Sequence, residues 1–242
     1  MQFRIDDAIF QKYPNLLVGL LVCKDVKNGS APTEVTTMLR DAEKALQAKF
    51  ADPEVLKMHP TIAAWQEVHR SFGSNPNKFP SSVHALAKRV AKGSSLPSIN
   101  TLVDLYNIIS LRHMLPAGGE DLDACRGDIV LAFATGSESF IPLGSSENEP
   151  PETGEVMYRD DEGVICRKFN WREGARTALT DQTQNAVLVI EAVPPTQRTD
   201  LEAALQELQE LVMKFCGGVM EKAILERGGI HHVDCYDGYP KI

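Results

Sequence analysis

No stretch of this chain stays apolar for long. The longest such run, Leu16 to Cys23, is interrupted by Gly19 and falls far short of the roughly 20 residues a membrane span needs. Cysteine is sparse and scattered: the five stand at positions 23, 125, 166, 216 and 235, no two closer than 19 positions. That spacing excludes a Cys-x-x-Cys redox or zinc motif and offers no disulfide framework, so these thiols are expected to pack as small hydrophobes. No Gly-x-Gly-x-x-Gly and no Walker loop occurs, which removes the usual support for a nucleotide cofactor. No Ser–His–Asp or Cys–His arrangement is legible, and the acids of the chain lack the order of a calcium loop. No cofactor and no metal are expected. The opening Met-Gln-Phe-Arg-Ile-Asp-Asp has no basic segment leading into an apolar one, so no secretory signal is expected and the location expected is cytoplasmic.

What remains is an ordinary globular composition. Of 242 residues, 43% are hydrophobic and 24% charged, enough to bury a core without a disulfide or metal staple. The net charge of -8 argues against strong non-specific nucleic-acid binding. The charge is unevenly spread, however. Residues 65–116 carry six bases against two acids, residues 117–163 twelve acids against two bases, and residues 164–177 four bases against one acid. Two basic stretches flank an acidic block; they either meet to track a phosphate backbone or are solvated surface.

Periodicity gives the elements. Residues 2–26 read as strand, with Leu16 to Cys23 fit for a central one. Helices follow behind Pro32 to Phe50, from Thr61 to Phe72, behind Pro80-Ser81 to Gly93, and over Ile99 to Met114. Strands are expected at Asp128 to Ala134 and Ser139 to Leu143, then a hairpin of Glu155 to Arg159 with Val164 to Phe169, then Asn185 to Val193. A last helix opens on a Thr199-x-x-Glu202 capping box and stops at Gly217-Gly218. Helices gathered early and strands late imply an α+β fold. No boundary stands out, so one compact unit with short extensions is expected, ending in a polar tail over 229–242. Within that tail His231-His232-x-x-Cys235 is half of a metal site at most.

Four places hold candidate chemistry. Asn100, Asp104 and Asn107 fall on one helical face, where such residues compete for backbone hydrogen bonds; they are either a pocket wall or a polar seam. Gly118-Gly119-Glu120-Asp121-Leu122-Asp123 joins glycines that admit a close ligand to carboxylates for a cation, an amine or a bound water, unless it is a solvated turn. Ser74-Asn75-Pro76-Asn77-Lys78 is a rigid loop with one positive charge, suited to phosphate or to a capped turn. Trp171 beside Arg172 can stack on a nucleobase or belong to the core.

Three stretches together resemble the B3/B4 domain of the phenylalanyl-tRNA synthetase β subunit: Asn100-Thr-Leu-Val-Asp104-Leu-Tyr-Asn107, Leu115-Pro116-Ala-Gly-Gly-Glu-Asp121, and Thr183-Gln-Asn185 opening an apolar strand. The chain is still more similar to free-standing B3/B4 tRNA-binding domain proteins. There Asn75-Pro-Asn-Lys78-Phe-Pro, Leu96-Pro-Ser-Ile-Asn100, Gly118-Gly-Glu-Asp-Leu-Asp123 and Asn170-Trp-Arg-Glu173 recur in this order. The resemblance covers about residues 60–215 and implies a B3/B4-type domain over 60–228, with a segment 1–59 that is part of the same compact unit. It implies an α+β domain with a β-sandwich core and flanking helices. It also implies a trans-acting deacylase that hydrolyses the ester of misacylated tRNA, or a non-catalytic tRNA- or amino-acid-binding module. The implied partner is tRNA or aminoacyl-tRNA, with no membrane and no DNA. A third reading keeps the fold for a small-molecule enzyme. By position, Asn100, Asp104 and Asn107 match the synthetase helix, the family's editing-site histidine falls on Gly118, and its glutamate falls on Val189. Glu191, two positions on and on the same strand face, is the expected substitute. The expected catalytic residues are thus Glu120, Glu191 and Asp104, with Asn100, Asn107, Gly118, Gly119 and Asp121 binding substrate. Asn75, Lys78, Trp171, Arg172 and Arg176 are expected to contact RNA.

Overall fold

A computed structural model describes residues 1–50, 52–227 and 233–234. In chain order they form β1 (Gln2–Ile5), α1 (Asp7–Lys12), β2 (Leu17–Lys24), α2 (Thr33–Lys49), α3 (Pro53–Lys57), α4 (Pro60–Ser71), α5 (Ser82–Ala91) and α6 (Thr101–His113). Then come β3 (Ala117–Asp121), β4 (Ile129–Phe133), β5 (Val156–Arg159), β6 (Val164–Arg167), β7 (Arg172–Glu173), β8 (Ala186–Ala192), α7 (Arg198–Cys216), β9 (Val219–Leu225) and β10 (Val233–Asp234). The architecture is mixed α+β, with two sheets in the orders β10-β1-β4-β5-β6-β7 and β3-β8-β2-β9.

The alternation in β2 sets the layers. Successive side chains of a strand point to opposite faces. Val18, Leu20 and Val22 therefore join Phe3, Ile129, Leu131, Tyr158 and Ile165 in a core between the two sheets. Leu21 and Cys23 face the other way, into a core with Leu39, Leu105, Ile108, Leu205 and Leu208 from α2, α6 and α7. A strand apolar on both faces is what a central position requires. Gly19 is the close-approach point: a Cβ there would stand 2.6 Å from Cδ1 of Leu205, so the missing side chain lets α7 lie against the sheet. Cys23, Cys125, Cys166 and Cys216 are free and buried, and burial pushes the Cys23 thiol up to about 12.

The structure departs from the sequence expectations in several places, and it adds α3 and β9, which no expectation covered. Residues 2–26 are not continuous strand, because α1 intervenes; Ile9, Phe10 and Tyr13 turn inward at helical spacing. Ser139 to Leu143 forms no strand but a loop with a single bridge from Pro142 to Gly174, proline being unable to donate to a ladder. Helix α7 opens two residues before the expected box: the backbone N–H of Gln197 donates to Asp200 at 2.9 Å. Residues 118–121 are neither loop nor turn but part of an edge strand, β3. His231, His232 and Cys235 lie outside the described residues.

The hairpin of β5 and β6 is fixed by a buried charge cluster. The Glu155 carboxylate is 2% exposed and receives Arg167 Nε at 2.8 Å, Arg167 Nη2 at 2.7 Å, Lys168 Nζ at 2.8 Å and the Lys168 backbone N–H at 3.1 Å. These contacts hold Lys168 and Phe169 in the left-handed region, at φ 49 and 68. The chain thereby reverses and presents residues 170–173 to the space between the sheets. Burial alone would raise the Glu155 pKa, but the hydrogen bonds and charges of Arg167 and Lys168 outweigh it and hold it below the usual carboxylate range. Its stabilisation is therefore complete above the unfolded value near 4.5 and is lost as pH falls through the lower folded value. Glu155→Gln is expected to cost about 3–5 kcal/mol at pH 7, since it leaves two buried cations without their anion. Urea unfolding at pH 7 and at pH 3 checks this, with the difference between variant and parent shrinking at the lower pH.

Candidate functional site

Where the edges β3 and β7 of the two sheets meet, α5 and α6 close over a cavity of about 270 Å³. Its floor follows from register. Gly118 pairs with Val189 and Glu120 with Val187, so Gly118, Glu120, Val189 and Glu191 share the face turned toward the six-stranded sheet. A Cβ on Gly118 would meet nothing within 4 Å, so the floor there is bare. Gly119 points to the opposite face, where a Cβ would stand 2.6 Å from Leu188. Phe3, Ile129, Ile165 and Phe169 supply apolar walls, α6 adds Tyr106 and Asn107, and the 170–173 segment adds Asn170, Trp171, Arg172 and Glu173.

Three carboxyl groups stand in this mostly apolar space: Glu120, Glu173 and Glu191. Glu120 is 6% exposed, and its carboxyl meets that of Glu173 within hydrogen-bonding reach. Burial raises the pKa of both groups, and for Glu120 the charge of Glu173 raises it further. Two carboxyls this close and this dry do not both ionise, so the pair holds a proton near neutral pH. Glu120 Oε2 and Glu173 Oε1 are shut off from solvent, and besides the pair itself the Thr177 hydroxyl approaches Glu120.

Glu191 is held differently. It is 3% exposed, and Tyr158 Oη donates to its Oε1 at 2.6 Å while Asn170 Nδ2 donates to its Oε2 at 2.6 Å. Burial pushes its pKa up to about 7 against the two hydrogen bonds that favour the anion. Behind Asn170, His69 Nε2 lies 3.4 Å from its Oδ1, and burial pushes the His69 pKa down to about 4, so that imidazole is neutral. The result is a fixed carboxylate whose protonation changes near physiological pH, the property a general base needs.

The cavity collects Asn107, Gly118, Gly119, Glu120, Glu191, Trp171 and Arg172 from the expected site residues. The structure places the others elsewhere. Asn100 caps α6, accepting from the Val103 N–H at 3.0 Å and donating to the Leu179 carbonyl at 3.1 Å. Asp104 accepts from the Ser98 hydroxyl and the Ile99 N–H, closing the loop before the helix. These two thus form the polar seam, whereas Asn107 of the same face reaches the cavity. Asp121 accepts from Thr183 Oγ1 at 2.6 Å and Asp123 from the Asn185 amide, tying β3 to the start of β8. Arg176 lies off the cavity, bound to Asp160 at 2.6 Å and near Glu162. Asn75 is exposed and accepts from the Asn77 N–H, and Lys78 is exposed with its ammonium over Phe79. Phe79 packs edge-on against Trp171 with centroids 4.6 Å apart, which brings the Lys78 loop to the rim.

Sequence reasoning missed Tyr158, Asn170 and Glu173 as site residues. Asn170 and Glu173 stood inside a quoted motif, and Glu173 was legible as the only acid in a basic stretch. Nothing in the sequence pointed to Tyr158. The basic stretch itself does not form a phosphate track: Arg167 and Lys168 are buried on Glu155, Arg176 is taken by Asp160, and Arg172 reaches Glu149 at 4.0 Å.

The sequence model of the B3/4 domain family matches residues 64–217, a span that contains every residue of the cavity wall named above except Phe3. No curated protein matches this chain. Among solved structures, an N-terminal fragment of the phenylalanyl-tRNA synthetase β subunit from Pyrococcus horikoshii is similar at 12% identity with a TM-score of 0.46. The similarity covers 90% of this chain and 49% of that one, so the chain spans about half the length of the fragment.

The carboxyl pair has a measurable cost. A group with a raised folded pKa destabilises the protein increasingly as pH rises from its unfolded value toward its folded one. Glu120→Gln keeps the shape and removes that cost. The variant is expected to gain on the parent as pH rises above about 4.5, by up to ~1.4 kcal/mol per unit. Urea midpoints measured from pH 4 to pH 8 report it; parallel curves would mean that Glu120 ionises freely.

Proposed function

The chain belongs to the B3/4 domain family, and from that premise we propose that its cavity receives the aminoacyl end of a tRNA and hydrolyses the ester of a misacylated one. The observation that carries this reading is Glu191, a carboxylate fixed by Tyr158 and Asn170 in an apolar cavity with a pKa near 7. In this mechanism Glu191 takes a proton from a water as that water's oxygen bonds to the ester carbonyl carbon. Asn107 offers its amide to the carbonyl oxygen as charge develops there. The bond to the ribose oxygen then breaks, and the proton held by Glu191 passes to that oxygen. The products are the free amino acid and uncharged tRNA. At the rim, half-exposed Trp171 takes the terminal base by stacking, and Lys78 and Arg172 lie nearest the backbone phosphates, with Asn75 beside them. Arg176, already committed to Asp160, contributes less. No described helix is long and apolar enough to cross a membrane, and we place the activity in the cytoplasm with its substrate.

One observation favours a second reading. Most cations of residues 164–177 are paired internally, and the cavity itself is lined by acids. That favours a module which binds an amino acid or the end of a tRNA and turns nothing over. Release of labelled amino acid from a panel of correctly and wrongly charged tRNAs, with tRNA binding followed in parallel, decides between the two. The expected outcome is selective release from one mischarged tRNA, slowed about 10²-fold or more by Glu191→Ala and by Glu120→Ala, with tRNA affinity nearly unchanged. Binding should weaken steeply as salt is raised. Binding without release from any tRNA establishes the module instead, and unaltered turnover in both variants would falsify the assignment of these carboxylates.

A further inference from the structure

We infer that the Glu120–Glu173 pair is a docking site for a primary ammonium group carried on an apolar body. The inference rests on the reading of the cavity as an aminoacyl site for the identity of that amine, and on nothing else in it. The two carboxyls come from different sheets, β3 and β7, and meet at the edge of the cavity. Each contributes an oxygen that is sealed from solvent and meets no cation: Oε2 of Glu120, itself 94% buried, and Oε1 of Glu173, with each other and the Thr177 hydroxyl as their polar neighbours. One shared proton and one neutral hydroxyl keep the pair from full ionisation but supply no counter-charge, so whatever charge it carries faces apolar walls.

Among the described residues no cation touches the pair, and Arg176 acts on Glu120 only through its charge. Arg176 is spent on Asp160 and Glu162. Arg172, the guanidinium of the cavity wall, is 38% exposed and leans over Trp171 toward Glu149. Burying a charge without a partner is costly, so the pair stays protonated until a cation from outside takes the proton's place. Its chemistry follows from the donors. A hydroxyl or water satisfies a lone pair but not the charge. A metal ion asks for more ligands: calcium takes 6–8 oxygens, and among the described residues no three His, Cys, Asp or Glu groups gather at ligand spacing. A primary ammonium is compact and has three donors, enough to span both carboxyls at once. Phe3, Ile129 and Ile165 then call for an apolar remainder. The volume of about 270 Å³ fits a group of amino-acid size.

Docking of an ammonium favours the doubly ionised pair, so it expels the shared proton. The ionisable groups facing the pair are Tyr106 from α6, Cys125, Cys166 from β6, Tyr158 from β5, Glu191 from β8 and Arg176. The tyrosines and cysteines are all pushed away from ionising, and Glu191 is already held by two donors, so the pair is the source of the proton.

The test uses the full chain and no RNA. Titration calorimetry with 2-phenylethylamine and isopentylamine, against 2-phenylethanol and isopentanol, is run at pH 7 in two buffers of different ionisation enthalpy. Amines are expected to bind at least about 10-fold more tightly than the alcohols of the same shape, and to release a fraction of a proton. E120Q and E173Q are each expected to weaken the amines about 10-fold and abolish the release while leaving the alcohols unchanged; urea unfolding confirms that both variants are folded. Equal affinity for amine and alcohol, no amine binding, or variants that bind amines like the parent would overturn the site. Amine binding without tRNA deacylation leaves this site standing and removes the hydrolase. Deacylation without amine selectivity does the reverse.

Discussion

The buried carboxylate of Glu155 is the constraint on which the site depends. Arg167 and Lys168 are two cations inside the protein, 7% and 3% exposed, and such charges persist only when paired and hydrogen-bonded. Glu155 supplies both, and also accepts the Lys168 backbone N–H. Its position therefore dictates a backbone that two non-glycine residues would not adopt unaided, Lys168 and Phe169 at positive φ. Phe169 then packs edge-on against Trp65 with centroids 5.0 Å apart, and the four residues that follow it face the cavity. Asn170, which orients Glu191, and Glu173, which meets Glu120, both hang from this one reversal.

The same pairing explains a charge pattern that was visible from the start and points elsewhere than expected. The acidic block 117–163 and the basic stretch 164–177 are neighbours along the chain because they are partners in space. Glu149, Glu155, Asp160 and Glu162 of the block reach Arg172, Arg167, Lys168 and Arg176 of the stretch. Opposite charge in adjacent segments of an antiparallel arrangement is a pairing signal before it is a binding signal.

The layers of the fold were legible where burial imposes a period. Leu16 to Cys23 announced a strand covered on both sides, and the helices from Pro32 to Met114 lie within two residues of their expected ends, with α3 added between the first two. The site was legible only in part, because a linear face does not say what covers it. Asn100, Asp104 and Asn107 lie on one helical stripe, yet the stripe is met by a loop at its start and by the cavity further along. Only the packing of Leu179 and the 98–100 segment against the first turn separates the two fates. Glu191 shares the strand face of Val189, as period 2 from the position given by the resemblance implies, and both line the cavity. Tyr158 could not be read because its partner lies 33 positions away on the other sheet.

The cavity and its rim thus have opposite electrical characters, and that division limits how a ligand can enter. Inside, Glu120, Glu173 and Glu191 sit in a low-dielectric space where a phosphate would meet carboxylates at short range. At the rim, Lys78 and Arg172 stand beside Trp171 and Phe79, exposed enough to meet a backbone but screened by salt. A nucleic acid could engage this protein only from the outside, leaving the interior to whatever its end carries. A ligand that is anionic along its length and cationic at its tip satisfies both regions at once. A free amine satisfies only the inner one. On the function proposed above, the geometry would separate two contributions to recognition: a salt-dependent one from the rim, and one from the buried acids that salt would weaken far less.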